Sequence, residues 1–247
     1  MATSQHSSPK RLPTRHKLVG YCAALPPFPG GALLSFQVFS FARYLSRVEN
    51  LHWRREDYHS EAMINLLKGE AFSGYVDRRI DGRLRRLKAG DSKLARNWFA
   101  EVVGSITFPT GSTYYLCPIP DSQCTSGCGR PPTMLPAVHE MARRYRHFKA
   151  WDGLRFAEST PPGAQRNPCD VRELFDSLEI VLPVPPRAYV VFVDDVFSSG
   201  SRFMAAQARL KCAGATSFAC LAAARTANDQ LQAAFGLVED QLEEFQP

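Results

Sequence analysis

The sequence predicts an α/β protein, a parallel sheet flanked by helices with an amino-terminal helical subdomain, and three observations lead there. Residues 190–193 are a short, β-branched-rich apolar run, bounded by Pro185-Pro186 before and by Asp194-Asp195 after. Such a run without polar alternation marks a strand covered on both faces, as strands of a parallel sheet are. A small-residue turn, Ser198-Ser199-Gly200-Ser201, leads straight into a helix-like segment at 202–213, with Gly214 suited to be its C-cap. Residues 217–224 then alternate weakly as a further buried strand. Strand, helix and strand in that order make a βαβ unit with a right-handed crossover, and its ligand belongs outside the carboxyl ends of the strands.

The remaining elements follow in order. Residues 1–17 combine Ser, Pro and basic residues and read as a flexible basic tail. A region from 18 to 110 is expected to be helical. Within it, 33–47 reads as an apolar helix, with Leu34, Val38, Phe41 and Leu45 near helical spacing. A second helix spans 58–68, where Ala62 with Leu66 and Met63 with Leu67 stand four apart. Residues 77–88 are basic and read as partly helical, with Arg79, Arg83 and Arg86 on one face. Asp91 is placed to cap a third helix at 93–103, lined by Leu94, Trp98 and Val102.

An α/β domain is expected over 111–247. Its elements are a strand at 113–118, a helix from Thr133 or Pro136 to about Arg146, and a short strand at 154–156. A mobile loop rich in Pro, Gly, Ser and Thr follows at 157–170. Next come a helix at 171–178, a strand at 179–182, the central βαβ unit and a terminal helix at 230–245.

Bulk composition sets limits on function. The chain has 247 residues, enough for one large α/β domain or one with an added subdomain. An excess of 30 Lys+Arg over 24 Asp+Glu gives a net charge of +6, which favours anionic ligands or partners. That charge is uneven: 77–96 is strongly basic, while Glu239, Asp240, Glu243 and Glu244 make an acidic end. Residues 77–96 are open to two readings, a solvated basic face or a surface for nucleic acid or polyphosphate. Seven cysteines, an odd number spread along the chain, do not form a disulfide framework and suggest intracellular thiols. No apolar run reaches the length of a membrane span, and the amino terminus has no secretory pattern, so a cytoplasmic protein is expected. Walker, G-x-G-x-x-G, H-E-x-x-H and G-x-S-x-G patterns are all missing, which removes several enzyme classes.

Two carboxylates at a strand end, followed by a hydroxyl-rich turn and a helix start, suit a ligand carrying both hydroxyls and a phosphate. The acids can accept from hydroxyls or, through them, address a divalent cation. The turn supplies free N–H groups, serine hydroxyls and the positive end of a helix dipole. The plainer account is that the acids only cap the helix that follows.

This stretch resembles the phosphoribosyl-pyrophosphate motif of type I phosphoribosyltransferases: an apolar strand, two adjacent acids, then a Thr/Ser-Thr/Ser-Gly loop. The resemblance implies that Asp194 and Asp195 face the ribose 2′- and 3′-hydroxyls and that Ser198, Ser199, Gly200 and Ser201 wrap the 5′-phosphate. The family usually has Thr where this chain has Arg202, a side chain that can pair with phosphate or fill its pocket. Mg²⁺ is implied as cofactor, held through ligand hydroxyls near Asp194 and Asp195 with no direct protein ligand. A similar likeness, to the ComF-like group, covers Leu87-Lys88-Ala89-Gly90-Asp91, Leu94-Ala95 and Phe99-Ala100. In that group a Pro-hydrophobic-Pro loop holds pyrophosphate, and Cys117-Pro118-Ile119-Pro120 matches its shape, which brings in Ile119, Pro120, Asp121 and Ser122.

Further roles follow from the same resemblance. Residues 157–170 stand where a loop closes over substrate, with Thr160, Gln165 and Arg166 in it, and Arg155 or Lys149 is placed to stabilise the departing pyrophosphate. The group's amino-terminal zinc ribbon is missing, since no C-x-x-C occurs; Cys117, Cys124 and Cys128, with His139 beyond, leave free thiols or a metal site as alternatives.

The function implied is transfer of phosphoribosyl from phosphoribosyl pyrophosphate to an unidentified nitrogen acceptor with release of pyrophosphate. Two alternatives stand beside it: a non-catalytic phosphoribosyl- or nucleotide-binding protein, and a ComF-like accessory to DNA uptake or repair that uses the basic 77–96 region. Self-association is left open.

Overall fold

The computed structural model describes residues 35–45, 53–159, 170–227 and 233–247. In chain order they form β1 (Ser35–Leu45), α1 (Arg55–Lys68), β2 (Val76–Ile80), β3 (Arg83–Leu87), α2 (Ser92–Val103), β4 (Tyr114–Pro118), α3 (Leu135–Arg144) and β5 (Phe148–Ala150). Then follow β6 (Leu154–Phe156), α4 (Val171–Ser177), β7 (Leu178–Ile180), β8 (Tyr189–Phe197), α5 (Ser201–Cys212), β9 (Ser217–Ala227) and β10 (Phe235–Glu243).

The main sheet has six strands in the order β10-β1-β9-β8-β4-β5. Every pairing is parallel except β1 with β10. The fold is therefore α/β with a mostly parallel central sheet, as the apolar run at 190–193 predicts.

Alternation along β8 defines the layers. Val191 and Val193 point into a core shared with α1, α2 and α3, including Met63, Leu66, Phe99, Val103, Val138 and Met141. Val190 and Phe192 point the other way, among Leu174 of α4 and Phe203, Ala206 and Leu210 of α5. Both sheet faces are thus covered by helices.

Three helices expected from sequence are strands instead. Residues 33–47 were expected to be helical, but 35–45 form β1, parallel to β9 and antiparallel to β10. A strand buried on both faces carries apolar residues at every spacing, so helical periodicity in it is accidental. Its Phe36, Val38, Phe39, Phe41 and Tyr44 are strand-forming types, and that enrichment is the discriminating signal. Residues 77–88 form the β2–β3 hairpin, not a basic helix. Asp81 and Gly82 have φ of 49° and 73°, the two positive values of a type I′ turn, for which Asp-Gly is a preferred pair. The expected terminal helix at 230–245 is, over its described residues, β10, an edge strand whose Glu239, Asp240 and Glu243 keep the edge charged.

The expected amino-terminal helical region therefore holds α1 and α2 but also β1, β2 and β3, and β1 lies in the same sheet as β4 and β8. Other elements fall close to expectation: α1, α2, β4, α3, β6, α4, β7, α5 and β9. Asp91 stands before α2 as expected, yet its carboxylate accepts from the Lys88 backbone N–H at 2.7 Å, and it makes no side-chain cap to the helix. Among the described residues no helix is long and apolar enough to cross a membrane.

Candidate functional site

The strand β8 does not stop at its acids. It runs on to Phe197, pairing Asp194 with Ala222 and Val196 with Ala224 of β9. Successive residues of a strand face opposite sides, and the partners of the acids reflect this. Asp194 meets Arg202 in the first turn of α5, Nη1 to Oδ2 at 3.7 Å, and Asp195 meets Lys68 at the end of α1, Nζ to Oδ2 at 3.5 Å. The twin acids thus straddle the sheet end, each facing a cation from a different helical layer.

Their environments differ as well. Asp194 is 6% exposed. Burial raises its carboxyl well above the usual carboxylate range, Arg202 opposes that shift, and the charge of Asp195 adds to it. One Asp194 oxygen accepts from the Asp195 backbone N–H at 2.9 Å, and an Asp195 oxygen accepts from Val196 N–H at 2.8 Å. Lys68 is drawn in by geometry that the sequence does not advertise. The helix α1 ends in a left-handed Gly69, φ 80°, with Gly69 N–H bonded to Leu66 O at 3.0 Å and Glu70 N–H to Asn65 O at 2.7 Å. That Schellman ending turns Glu70 back, so Lys68 Nζ also meets Glu70 Oε1 at 2.8 Å. Burial works against its charge, but Glu70 and Asp195 outweigh it and hold the ammonium above its ordinary range.

The turn after β8 has the shape of an anion cradle. Gly200 is the residue before α5, at φ 80°, and no side chain caps the helix start. Ser199 and Ser201 hydroxyls lie 2.9 Å apart, and the Ser201 N–H points to Ser199 Oγ at 3.4 Å. Ser198 and Ser199 are exposed, whereas Gly200 and Ser201 are buried. A Cβ added at Gly200 would stand 2.6 Å from Leu242 Cδ2 and 3.0 Å from Phe197 Cε2, so β10 closes one side of the turn. Leu242 is a neighbour the sequence gives no signal for. Arg202 lies against Asp194, on the acid side of this turn.

The 119–122 loop follows β4, next to β8 in the sheet. The Ile119 N–H continues the ladder to Val193 O at 2.9 Å, and Pro120 has no N–H, so neither backbone group is offered to an anion. Asp121 knits the loop: its carboxylate accepts from Gln123 N–H at 2.9 Å and from Thr133 Oγ1 at 2.6 Å. Ser122 is half-buried beside it.

Arg155, on β6, is held by Asp152 through two contacts at 2.6 and 2.7 Å and donates to Leu154 O at 2.7 Å. The next residue, Phe156, bonds the segment after β4, its N–H donating to Cys124 O at 3.0 Å and its O accepting from Ser126 N–H at 2.9 Å, which places β6 beside that loop. Lys149 is exposed on β5. Thr160, Gln165 and Arg166 lie outside the described residues, as does most of the expected 157–170 loop.

Cys117, Cys124 and Cys128 have different surroundings. Cys117 is buried, Cys124 donates to Arg130 O at 3.2 Å, and Cys128 donates to Gln123 O at 3.1 Å. Burial pushes Cys124 up to about 11, while hydrogen bonds from Thr125 and Arg130 lower Cys128. Among the described residues no three His, Cys, Asp or Glu side chains are grouped to hold a metal. The carboxylate oxygens at the end of β8 are hard donors of the kind Mg²⁺ takes, and an ion there would draw most of its ligands from substrate and water. No family model matches the chain, and the search of curated proteins returns no similar sequence.

Proposed function

We propose that the chain binds a 5-phosphorylated ribose at the carboxyl end of β8 and transfers it from phosphoribosyl pyrophosphate to a nitrogen nucleophile. The observation that carries the reading is the succession of Asp194-Asp195, the uncapped turn at Gly200 and the start of α5, at the end of an interior parallel strand. The N–H groups of the first turn of α5 and the Ser198, Ser199 and Ser201 hydroxyls receive the phosphate. Asp195, the more exposed acid, accepts from ribose hydroxyls. Asp194 is buried, and its part is to hold Arg202 beside the phosphate.

In the transfer, the bond from C1′ to the pyrophosphate oxygen breaks and pyrophosphate keeps the electron pair. A bond from C1′ to the acceptor nitrogen forms, and that nitrogen gives its proton to solvent. When bound, Mg²⁺ supplies charge neutralisation on the diphosphate. The loop at Asp121 and Ser122 contributes a smaller share than the resemblance implies, because Ile119 and Pro120 offer no N–H.

Two other readings each have an observation behind them. Arg202 against Asp194 favours a binding protein that holds the sugar phosphate without turning it over. The β2–β3 hairpin favours a nucleic-acid role, because Arg83 and Arg85 are exposed on β3 without partners among the described residues. Calorimetric titration with phosphoribosyl pyrophosphate and Mg²⁺, followed by assay of pyrophosphate release across a panel of bases, separates them. The transferase reading expects binding that is lost in Asp195→Ala, with release for at least one base. Binding without release selects the binding protein. Salt-sensitive DNA binding that survives Asp195→Ala, with no sugar-phosphate binding, selects the third reading.

A further inference from the structure

Lys68 belongs to neither the acid pair nor the serine turn at the β8–α5 join. It lies on the face of the sheet opposite the Gly200 turn, and its side chain is 26% exposed against 20% for that of Asp195. Its two contacts are unequal. The Glu70 pair is short, 2.8 Å, but Glu70 is 52% exposed, and a solvated pair of that kind is a weak anchor. The Asp195 contact, 3.5 Å, is long for a charge-assisted hydrogen bond. The Schellman ending at Gly69 fixes where the lysine stem leaves α1, so the ammonium is poised by rigid backbone while its head stays free to change partner.

We infer that Lys68 is a specificity-determining residue, which screens Asp195 in the empty site and moves to a second anionic group of the ligand when one is present. This rests on the sugar-phosphate reading of the β8 site. The physical argument is one of competition. A carboxylate engaged by an ammonium is a poorer acceptor for a neutral hydroxyl, so a ligand must displace Lys68 before its ribose can settle on Asp195. Ribose 5-phosphate has its phosphate at the Gly200 turn and no other charge with which to draw Lys68 away. Phosphoribosyl pyrophosphate carries a diphosphate at C1′, and a multiply charged diphosphate is a stronger partner for a half-buried ammonium than a single carboxylate. One lysine thereby penalises the product-like sugar phosphate and favours the activated one, a discrimination made by repulsion of the wrong ligand as well as attraction of the right one.

The test is calorimetric titration of the full chain with phosphoribosyl pyrophosphate plus Mg²⁺, and separately with ribose 5-phosphate, for wild type, Lys68→Met and Lys68→Arg. Lys68→Met is expected to weaken phosphoribosyl pyrophosphate by about tenfold or more, the scale of one lost charged hydrogen bond. The same variant is expected to bind ribose 5-phosphate as well as wild type or better, and Lys68→Arg should restore most of the lost affinity. Opposite directions for the two ligands cannot come from a merely structural lysine. Equal loss for both ligands, or no loss for the diphosphate, overturns the inference while leaving the β8 site standing. If wild type binds neither ligand, the site reading itself fails and takes this inference with it. Should Lys68→Met melt below the temperature of the titration, Lys68→Gln, which also removes the charge but keeps a polar end, is titrated in its place, with the same loss for the diphosphate expected and the same equal loss or absence of loss overturning the inference.

Discussion

Asp194 concentrates the cost of the site in one side chain. A buried carboxyl with raised affinity for its proton binds that proton more tightly in the folded than in the unfolded chain. By linkage, the stability it contributes is fully present below the unfolded value and is lost as pH rises through the folded one. Asp194→Asn removes the titration while keeping the shape. The variant is expected to melt higher than wild type at alkaline pH, with the difference shrinking toward zero as acid protonates the wild-type carboxyl. Thermal melts at closely spaced pH values read this directly, and a difference that stays constant with pH would show that burial of the charge is not its source. The acid pair and the Ser-Ser-Gly-Ser turn were legible in the sequence because they are contiguous. Lys68 was not, because it is a lone lysine more than a hundred residues upstream, and only the packing of α1 beside β8 brings it to Asp195.

Among the elements, the join of β8 to α5 is the least tolerant of change. Gly200 needs φ 80°, and a methyl group there would press on Leu242 and Phe197. Gly200→Ala is expected to cost about 1–3 kcal/mol, from left-handed strain and overpacking together. Urea unfolding measures it, and a midpoint equal to that of wild type would show that the turn can relax. Burial explains which elements can be read from one dimension. Helices α1 and α2 bury one stripe and leave the other wet, so their periodicity is real information. Strand β1 is buried on both sides and shows no face at all. In the β2–β3 hairpin, the Asp81-Gly82 turn was a readable signal, but the run of arginines around it suggested a charged helix face. Cross-strand register explains those arginines differently: Asp77 sits opposite Arg86, and the two form an ion pair at 2.9 Å with Arg86 lying over Tyr75.

At the scale of the whole molecule, β10 and β1 tie the ends of the described chain to one sheet. The acidic strand β10 covers the free edge of β1, anchors to β9 through Arg225 and Asp240 at 2.7 Å, and sends Leu242 to the Gly200 turn. Removing residues 234–247 strips that edge bare and exposes a long apolar strand, a template for pairing with another chain. The shortened chain is expected to self-associate more strongly than the full chain. Sedimentation velocity at matched concentrations tests this, and an unchanged distribution would mean that β1 is protected some other way.

By itself, the sequence determined the α/β class, the central strand–turn–helix–strand and the acids and serines gathered at its join, because all of these depend on neighbours within about thirty residues. The tertiary structure alone decided that 235–243 form a strand, where 35–45 lies in the sheet, that Asp194 and Asp195 face opposite layers, and that Lys68 and Leu242 lie beside the β8–α5 join. These depend on which distant segments lie side by side, and pairing of that kind leaves no periodic trace in either partner. A segment buried on both faces is simply apolar, and a lysine that meets an acid across the fold looks, in one dimension, like any other lysine.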